Sequence, residues 1–450
     1  MLPFLPIIHL SQTSPPPQEI VQIQEVRPLP GQLDNVPTFN SNSPELVLKE
    51  GILLSTFPPN GKQYPQAHLN FPFEGRFDIF AHHIAKGSPE NLRTLYQGLI
   101  LHNPSNQPVK VDVLQAASYL SQPDAPFIDL PPYANNLDGN IYAGPGSRVM
   151  SDILRGKRQS DVPAQLIILP GKSQILMNYS IPVRELEPPL NGRSTLMRLR
   201  SNGKIYIANL AMFAPLDALG NERAPSLEEW ENLLENSDVA GPRDLAPTPP
   251  EKTEDRIIYG RVAGVALGSR WQANLVDKSG ESKLSIPQPG KAFSYGLSTL
   301  PRGMLGTDRV QSARMLVRYS DTAYFAHGNY GIEYNLSLPL DNSTSETQNI
   351  TIAIQTPIKT DRLTLGGLSF LEPPANQIFF RGTVRLRYTD DSRIPQTRYV
   401  HLMQRRGQQG EPLVKLKMSS GERRLVEVDF LYPPDASPPQ VLTVKTLDNG

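Results

Sequence analysis

The sequence contains no cysteine. Disulfides, thiolate metal sites and cysteine nucleophiles are therefore excluded, although export is not. No run of ~18 apolar residues occurs, so no transmembrane helix is expected. Net charge is also lacking: 44 basic and 44 acidic residues cancel to a formal charge of zero. That balance gives no support to a nucleic-acid binder. Aromatic residues are 7%; they are sparse among the arginines of residues 381–424, which leaves little for base stacking there. Proline, by contrast, is abundant, 45 of 450 residues, about twice ordinary usage. Because it breaks helix interiors and central ladders, helical bundles, coiled coils and long helical repeats are excluded. A chain of this length suits two or three domains of ~150 residues.

From Leu46 the text consists of short apolar runs separated by polar turns, such as Gly51–Phe57, Phe77–Ala81, Tyr96–Leu101 and Val109–Leu114. His102-Asn103-Pro104-Ser105-Asn106-Gln107-Pro108 is a dense turn signal between the last two. Strand, turn and strand in succession is how antiparallel β-sandwiches read. The expected fold is mostly β: two antiparallel, sandwich-like (Ig-like) domains joined by a short acidic helix and a proline-rich linker. The expected boundaries are a leader at 1–20, an extended proline-rich segment at 21–45, a sandwich at 46–215, the helix and linker at 216–258, and a second sandwich at 259–450. The helix is signalled by a capping box, Ser226 with Glu229. Leu227, Trp230 and Leu234 fall on one helical face.

The cleanest alternation lies near the end, in Thr383–Tyr388, Val414–Met418 and Val426–Phe430. Period two with one polar face predicts a sheet with one wet side. The last two runs read as a hairpin, with Lys417 opposite Glu427 and Lys415 opposite Asp429. An internal repeat is also legible. Leu99–Ser105 parallels Leu336–Ser343, and Leu169–Leu176 parallels Met418–Leu425 in the same order. Phe80-Ala81-His82 would then match Phe325-Ala326-His327.

The start, Met1–Leu10, is apolar and runs into Ser11–Pro17, but it lacks a basic n-region and carries Pro3 and Pro6. We read it as a short or degenerate signal peptide, with a cytoplasmic tail as the alternative. The stretches Phe39–Leu46, His68–His83 and Gln115–Phe127 resemble an uncharacterised cyanobacterial domain-of-unknown-function family over nearly the whole chain. That resemblance implies a cyanobacterial source and export to the periplasm or cell surface. It implies no catalytic residues.

His82, His83 and His102 are three of seven histidines. If the strands bearing His82 and His102 paired, two imidazoles would meet, with Asp78 or Asp112 as a further metal ligand. Adjacent histidines point to opposite strand faces, so His83 would be left out. Asp124, Asp129 and Asp138, in the long loop 121–163, are the candidates for a glycosidase-like carboxylate pair; turn formation is their ordinary use. Ala143-Gly144-Pro145-Gly146-Ser147 lacks the lysine of a phosphate loop and reads as a turn. No catalytic motif and no cofactor site are found.

Charge is unevenly distributed despite its zero sum. Residues 381–424 are strongly basic, and residues 216–255 strongly acidic. Arg385, Arg387, Arg398, Lys415 and Lys417 are expected to form a basic sheet face able to hold an anionic polymer. A solvated face, or docking of the acidic linker, would explain the same charges. The expected role is a non-catalytic binding or structural protein of the cell envelope, contacting anionic polysaccharide or another envelope protein. The alternatives are a carbohydrate-active enzyme with its site in loop 121–163 and a histidine metal-binding protein.

Overall fold

The structure is a computed structural model and describes residues 16–252 and 256–448. Most of the expected leader lies outside the described residues. The fold is mostly β, with strands in sheets of 12, 8, 5 and 2 and no closed barrel. Two α-helices occur among the described residues, Pro145–Leu154 and Leu227–Asn236.

Two main cores account for most of the buried apolar surface. The second lies between the eight-stranded and five-stranded sheets. Tyr334, Leu386, Val400 and Val428 project from the eight-stranded sheet onto Phe293, Ile352, Leu416 and Val444 of the five-stranded sheet. The first core lies between two limbs of the twelve-stranded sheet. The 24-residue strand Leu190–Phe213 belongs to both limbs. Its first half pairs with Phe73–Lys86 and Val109–Leu120. After an irregularity between Ser201 and Ile205, its second half pairs with Leu95–His102 and Gly51–Ser55. Met197 and Leu199 of one half thereby close over Leu99, Leu101, Ile205 and Ile207. A strand that turns a corner through such an irregularity lets one sheet cover itself.

The two cores share one pairing scheme. His102 lies opposite Ser173 as Asp341 lies opposite Arg423. Val109 faces Ile168 as Gln348 faces Met418. Leu199 faces Phe77 as Val444 faces Phe293. In each core a strand adds in parallel at the matching place, Phe39 beside Ile79 and Arg27 beside Tyr295. The repeat extends to individual hydrogen bonds. The Asn103 amide donates to the carbonyls of Gln107 and Ile168, and its Oδ1 accepts from Ser105 N and Oγ. The Asn342 amide donates to the carbonyls of Glu346 and Met418, and its Oδ1 accepts from Thr344 N and Oγ1. Asn103 N donates to Lys172 O and Asn342 N to Glu422 O, with Gly171 and Gly421 donating in return. Both asparagines are fully buried. One part of the sequence repeat is corrected. The counterpart of Phe73–Lys86 is Ala292–Leu297, whereas Phe325–Ala326 is a short edge strand on Ala313–Arg318.

The expected terminal hairpin does not form. Val414–Met418 pairs with Gln348–Gln355 in the five-stranded sheet, and Arg423–Leu431 pairs with Glu333–Asp341 and Ile378–Thr389 in the eight-stranded one. The turn at Ser419–Glu422 is thus an arch between sheets. The apolar residues Val414, Leu416 and Met418 still meet Val426, Val428 and Phe430, but across the core rather than along a ladder. Asp429 lies opposite Arg385 and Glu427 opposite Arg387.

Strands cross the chain's midpoint in both directions. Glu25–Arg27 and Gln32–Leu33 pair with Ala292–Leu297 and Arg270–Asn274. Ala263–Leu267 adds to Pro37–Ser41, and Ala313–Arg318 adds to Ala263–Leu267. The capping-box helix forms as expected, with Ser226 Oγ accepting from Glu229 N. Trp230 is completely buried over Gly98, where a Cβ would lie 2.5 Å from the indole. Helix Pro145–Leu154 corrects the turn expected at 143–147: Pro145 opens it at the first helical position. It packs on Val109–Leu120 and Leu190–Phe213 on one side, and on Ile378–Thr389 and Arg423–Leu431 on the other.

The matching asparagine networks predict matching losses. Asn103→Ala and Asn342→Ala should each lower unfolding free energy by about 2–3 kcal/mol, because buried carbonyls and hydroxyls lose their partner. Urea unfolding checks this, and a neutral result at either site would contradict the equivalence.

Candidate functional site

The histidines do not assemble. His82 meets Leu190–Phe213 at Ser194, and His102 meets the same strand at Tyr206, because their two strands do not pair with each other. His82 Nδ1 shares a hydrogen bond with Ser194 Oγ at 2.8 Å. His83 is held by Ser41 Oγ and the Pro44 carbonyl, and His102 by Ser173 Oγ. Burial, with smaller contributions from His83 and Arg261, lowers the pKa of His82 to about 3. Burial likewise lowers those of His83 and His401 to about 4. Among the described residues no group of three His, Cys, Asp or Glu side chains is placed to hold a metal ion.

The five bases do not form one face. Arg385 and Arg387 lie on the outer side of the eight-stranded sheet, where both bond to the almost fully buried Asp429 and Arg387 also reaches Glu427. Arg398 stands opposite Leu386, on the other side of that sheet. Its guanidinium meets Asn135 Oδ1, the Tyr133 hydroxyl and the Leu413 carbonyl. Lys415 and Lys417 are exposed on the five-stranded sheet. Strand alternation and the sheet-to-sheet arch separate what the linear charge count had joined. The acidic linker turns elsewhere: Arg243 grips Asp321 through two hydrogen bonds, and Ser43 Oγ donates to Asp244.

Loop 121–163 is a clasp between the two cores. Asp124 accepts from Leu120 N at 2.8 Å, which is turn chemistry, and Asp129 and Asp138 are exposed. Tyr133–Asn135 adds to Pro395–Arg405 as an edge strand.

A buried ionic chain runs beside the clasp. Arg198, on the first core's long strand, contacts Glu333 of the second core at 2.7 Å. Asp78 lies 3.8 Å from Arg198 and is also met by Arg76. Asn335 donates to both Glu333 and Asp429, which links the pair to Arg385 and Arg387. Burial pushes the Glu333 carboxyl up, but Arg198, Asn335 and Arg270 together hold it at about 2.

A cavity of about 630 Å³ opens between the cores, within the ~300–1,000 Å³ of small-molecule sites. Asn40, Asn42, Glu45, Tyr259, His327 and Lys359 are among the residues that line it. A neighbouring hollow of about 410 Å³, walled by Pro249, Pro301, Tyr324 and Phe325, shares Tyr259 and His327 with it. Glu45 is paired with Arg261, and its carboxyl is pushed up by burial against that pairing. Asn40 and Asn42 are about 95% buried, and neither Oδ1 has a hydrogen-bond partner. The Lys359 ammonium donates to the Tyr259 hydroxyl and lies 4.3 Å from its ring centre. The Tyr259 hydroxyl in turn donates to the Pro301 carbonyl. Burial lowers the Lys359 pKa to about 8, with Asp361 opposing from a distance. His327 packs edge-on to Tyr259 and shares its Nδ1 with Ser312 Oγ, so Nε2 remains for a ligand. The lining groups named come from four separate segments, 40–45, 259–261, 327 and 359, and no local spacing in the sequence announces them.

A family model described as "Protein of unknown function (DUF3370)" matches residues 24–446. No curated protein matches the chain. Among solved structures, Lac15 from a marine microbial metagenome shares 10% identity at a TM-score of 0.10, covering 84% of this chain and 54% of that one. The chain thus spans about half of Lac15. Pumpkin seed globulin shares 9% identity at a TM-score of 0.09, covering 90% and 86%. Likeness at that level informs neither fold nor function.

Two measurements follow. Removing one partner of the inter-core ion pair, by Arg198→Met or Glu333→Leu, should cost about 3–5 kcal/mol, and the double variant much less than the sum. A double-mutant cycle in urea reads this directly, and additivity would show that the pair does not couple. The buried histidines are neutral in the fold and titrate near 6.5 when unfolded. Their stabilisation is complete above pH 6.5 and is lost as pH falls towards 4, by about 1.4 kcal/mol per pH unit for each histidine. Urea midpoints between pH 7.5 and 5 should fall accordingly, and a flat profile would contradict the burial of His82, His83 and His401.

Proposed function

The chain belongs to that family, and we propose that it is a non-catalytic binding protein of the cell envelope whose ligand is an anionic polysaccharide. In this reading the two cores are Ig-like β-sandwiches, joined by the acidic helix and the proline-rich linker. The single observation that carries the proposal is the cavity between the cores, with its ammonium, aromatic ring and buried unpartnered amides. A saccharide supplies hydroxyls to such amides, and an acidic one supplies the counter-charge. The absence of a role in catalysis is argued from engagement. Glu45 is held by Arg261 and Asp244 by Ser43, whereas a glycosidase needs two carboxyl groups facing one bond. The envelope location is argued from the apolar start, Met1–Leu10, read as a signal peptide.

The test is co-sedimentation of the purified chain with polygalacturonate and with neutral dextran. Binding to the acidic polymer alone is expected, weakening from low salt to about 0.5 M. Equal binding to dextran, or none to polygalacturonate, would overturn the reading.

A further inference from the structure

We propose that the inter-core cavity recognises the carboxylate of a uronic acid, with Lys359 and His327 at the acid end and Asn40 and Asn42 at the hydroxyl end. This rests on the saccharide-binding reading above and assigns its recognition chemistry. Four observations meet in one place.

The first is the lysine. Among the described residues no carboxylate lies within ion-pair distance of its ammonium, whose contacts are a phenol oxygen and a ring face. An ammonium held half-buried without a counter-ion is costly, and a ligand carboxylate offsets that cost. The second is position. The lysine's aliphatic stem lies against Gly303, where a Cβ would sit 3.0 Å from its carbons. The stem is therefore laid down by packing, and the ammonium is held at the cavity wall. The third is His327, which faces the same cavity with Nδ1 already committed to Ser312. Its Nε2 is left to exchange a hydrogen bond with a ligand oxygen. The fourth is the pair Asn40 and Asn42. Asn40 lies in the strand Pro37–Ser41 and Asn42 just past its end, and both line the same cavity. Each leaves a buried oxygen unpartnered, an acceptor for a ligand hydroxyl. Acid at one end and hydroxyls at the other describe a polyhydroxy acid. A neutral sugar would leave the lysine unanswered, and a simple fatty acid would leave the asparagines so.

The experiment is isothermal titration of the full chain with D-glucuronate and with D-glucose, for the native protein and for Lys359→Gln. Glucuronate should bind at least tenfold more tightly than glucose, and Lys359→Gln should remove that preference. Equal affinity for the two sugars, no binding of glucuronate, or a preference that survives Lys359→Gln would overturn the assignment. Circular dichroism and the urea midpoint check that the variant is folded. Asn42→Leu, which removes one of the two buried amides, is the second variant and should weaken both sugars. Polygalacturonate separates the two readings. If it binds native protein and Lys359→Gln alike, the polymer reading stands and this site falls. If it binds neither while glucuronate binding follows Lys359, the site stands and the polymer reading falls.

Discussion

The contact between Arg198 and Glu333 is the constraint on which the arrangement of the two cores depends. Both side chains are almost completely buried, so neither charge can be left without the other. Arg198 sits in the one strand that belongs to both limbs of the first core, and Glu333 opens the strand that anchors the second. From this pair the hydrogen bonds run outward, through the neutral amide of Asn335, which bridges Glu333 and Asp429, to the two arginines of the next strand. Such a chain tolerates little relative movement, because sliding by one residue would set like charges together or leave a buried carboxylate bare. The cavity between the cores therefore has walls of fixed spacing, which is what recognition by a few polar groups requires.

Much of the fold was legible in the residues. Proline content excluded helical architectures, and period-two alternation placed the C-terminal strands with the correct faces inward. The capping box located helix Leu227–Asn236 with its buried Trp230. The repeat was visible because Asn103 and Asn342 carry the same buried hydrogen-bond network, which needs asparagine followed two residues later by a hydroxyl.

What was not legible was partnership. Val414–Met418 and Val426–Phe430 are joined by a short polar turn, and a hairpin and an arch have the same text. Facing apolar residues and opposed charges favoured a hairpin, yet the apolar rows meet across a core and the charges find arginines on a third strand. The expected basic face failed for the same reason, since Arg385 and Arg398 occupy opposite sides of one sheet while the lysines lie in another. Gly144-Pro145-Gly146 read as a turn because both residue types favour turns, although proline also suits the first position of a helix. Lys359, Tyr259 and His327 escaped notice because tertiary packing alone brings them together.

The strands that cross the midpoint give the chain the character of a stitched seam. Residues 25–33 complete sheets around the second core, while 263–267 and 313–318 complete the sheet of the first. Neither half of the sequence contains a full set of its own strands. A cut within the acidic linker would therefore release no piece able to fold alone, and each fragment would carry edges missing their neighbours. Newly made chain would have to wait for its last third before the first core could close. The protein is thus built twice from one pattern, but it matures once, as a whole.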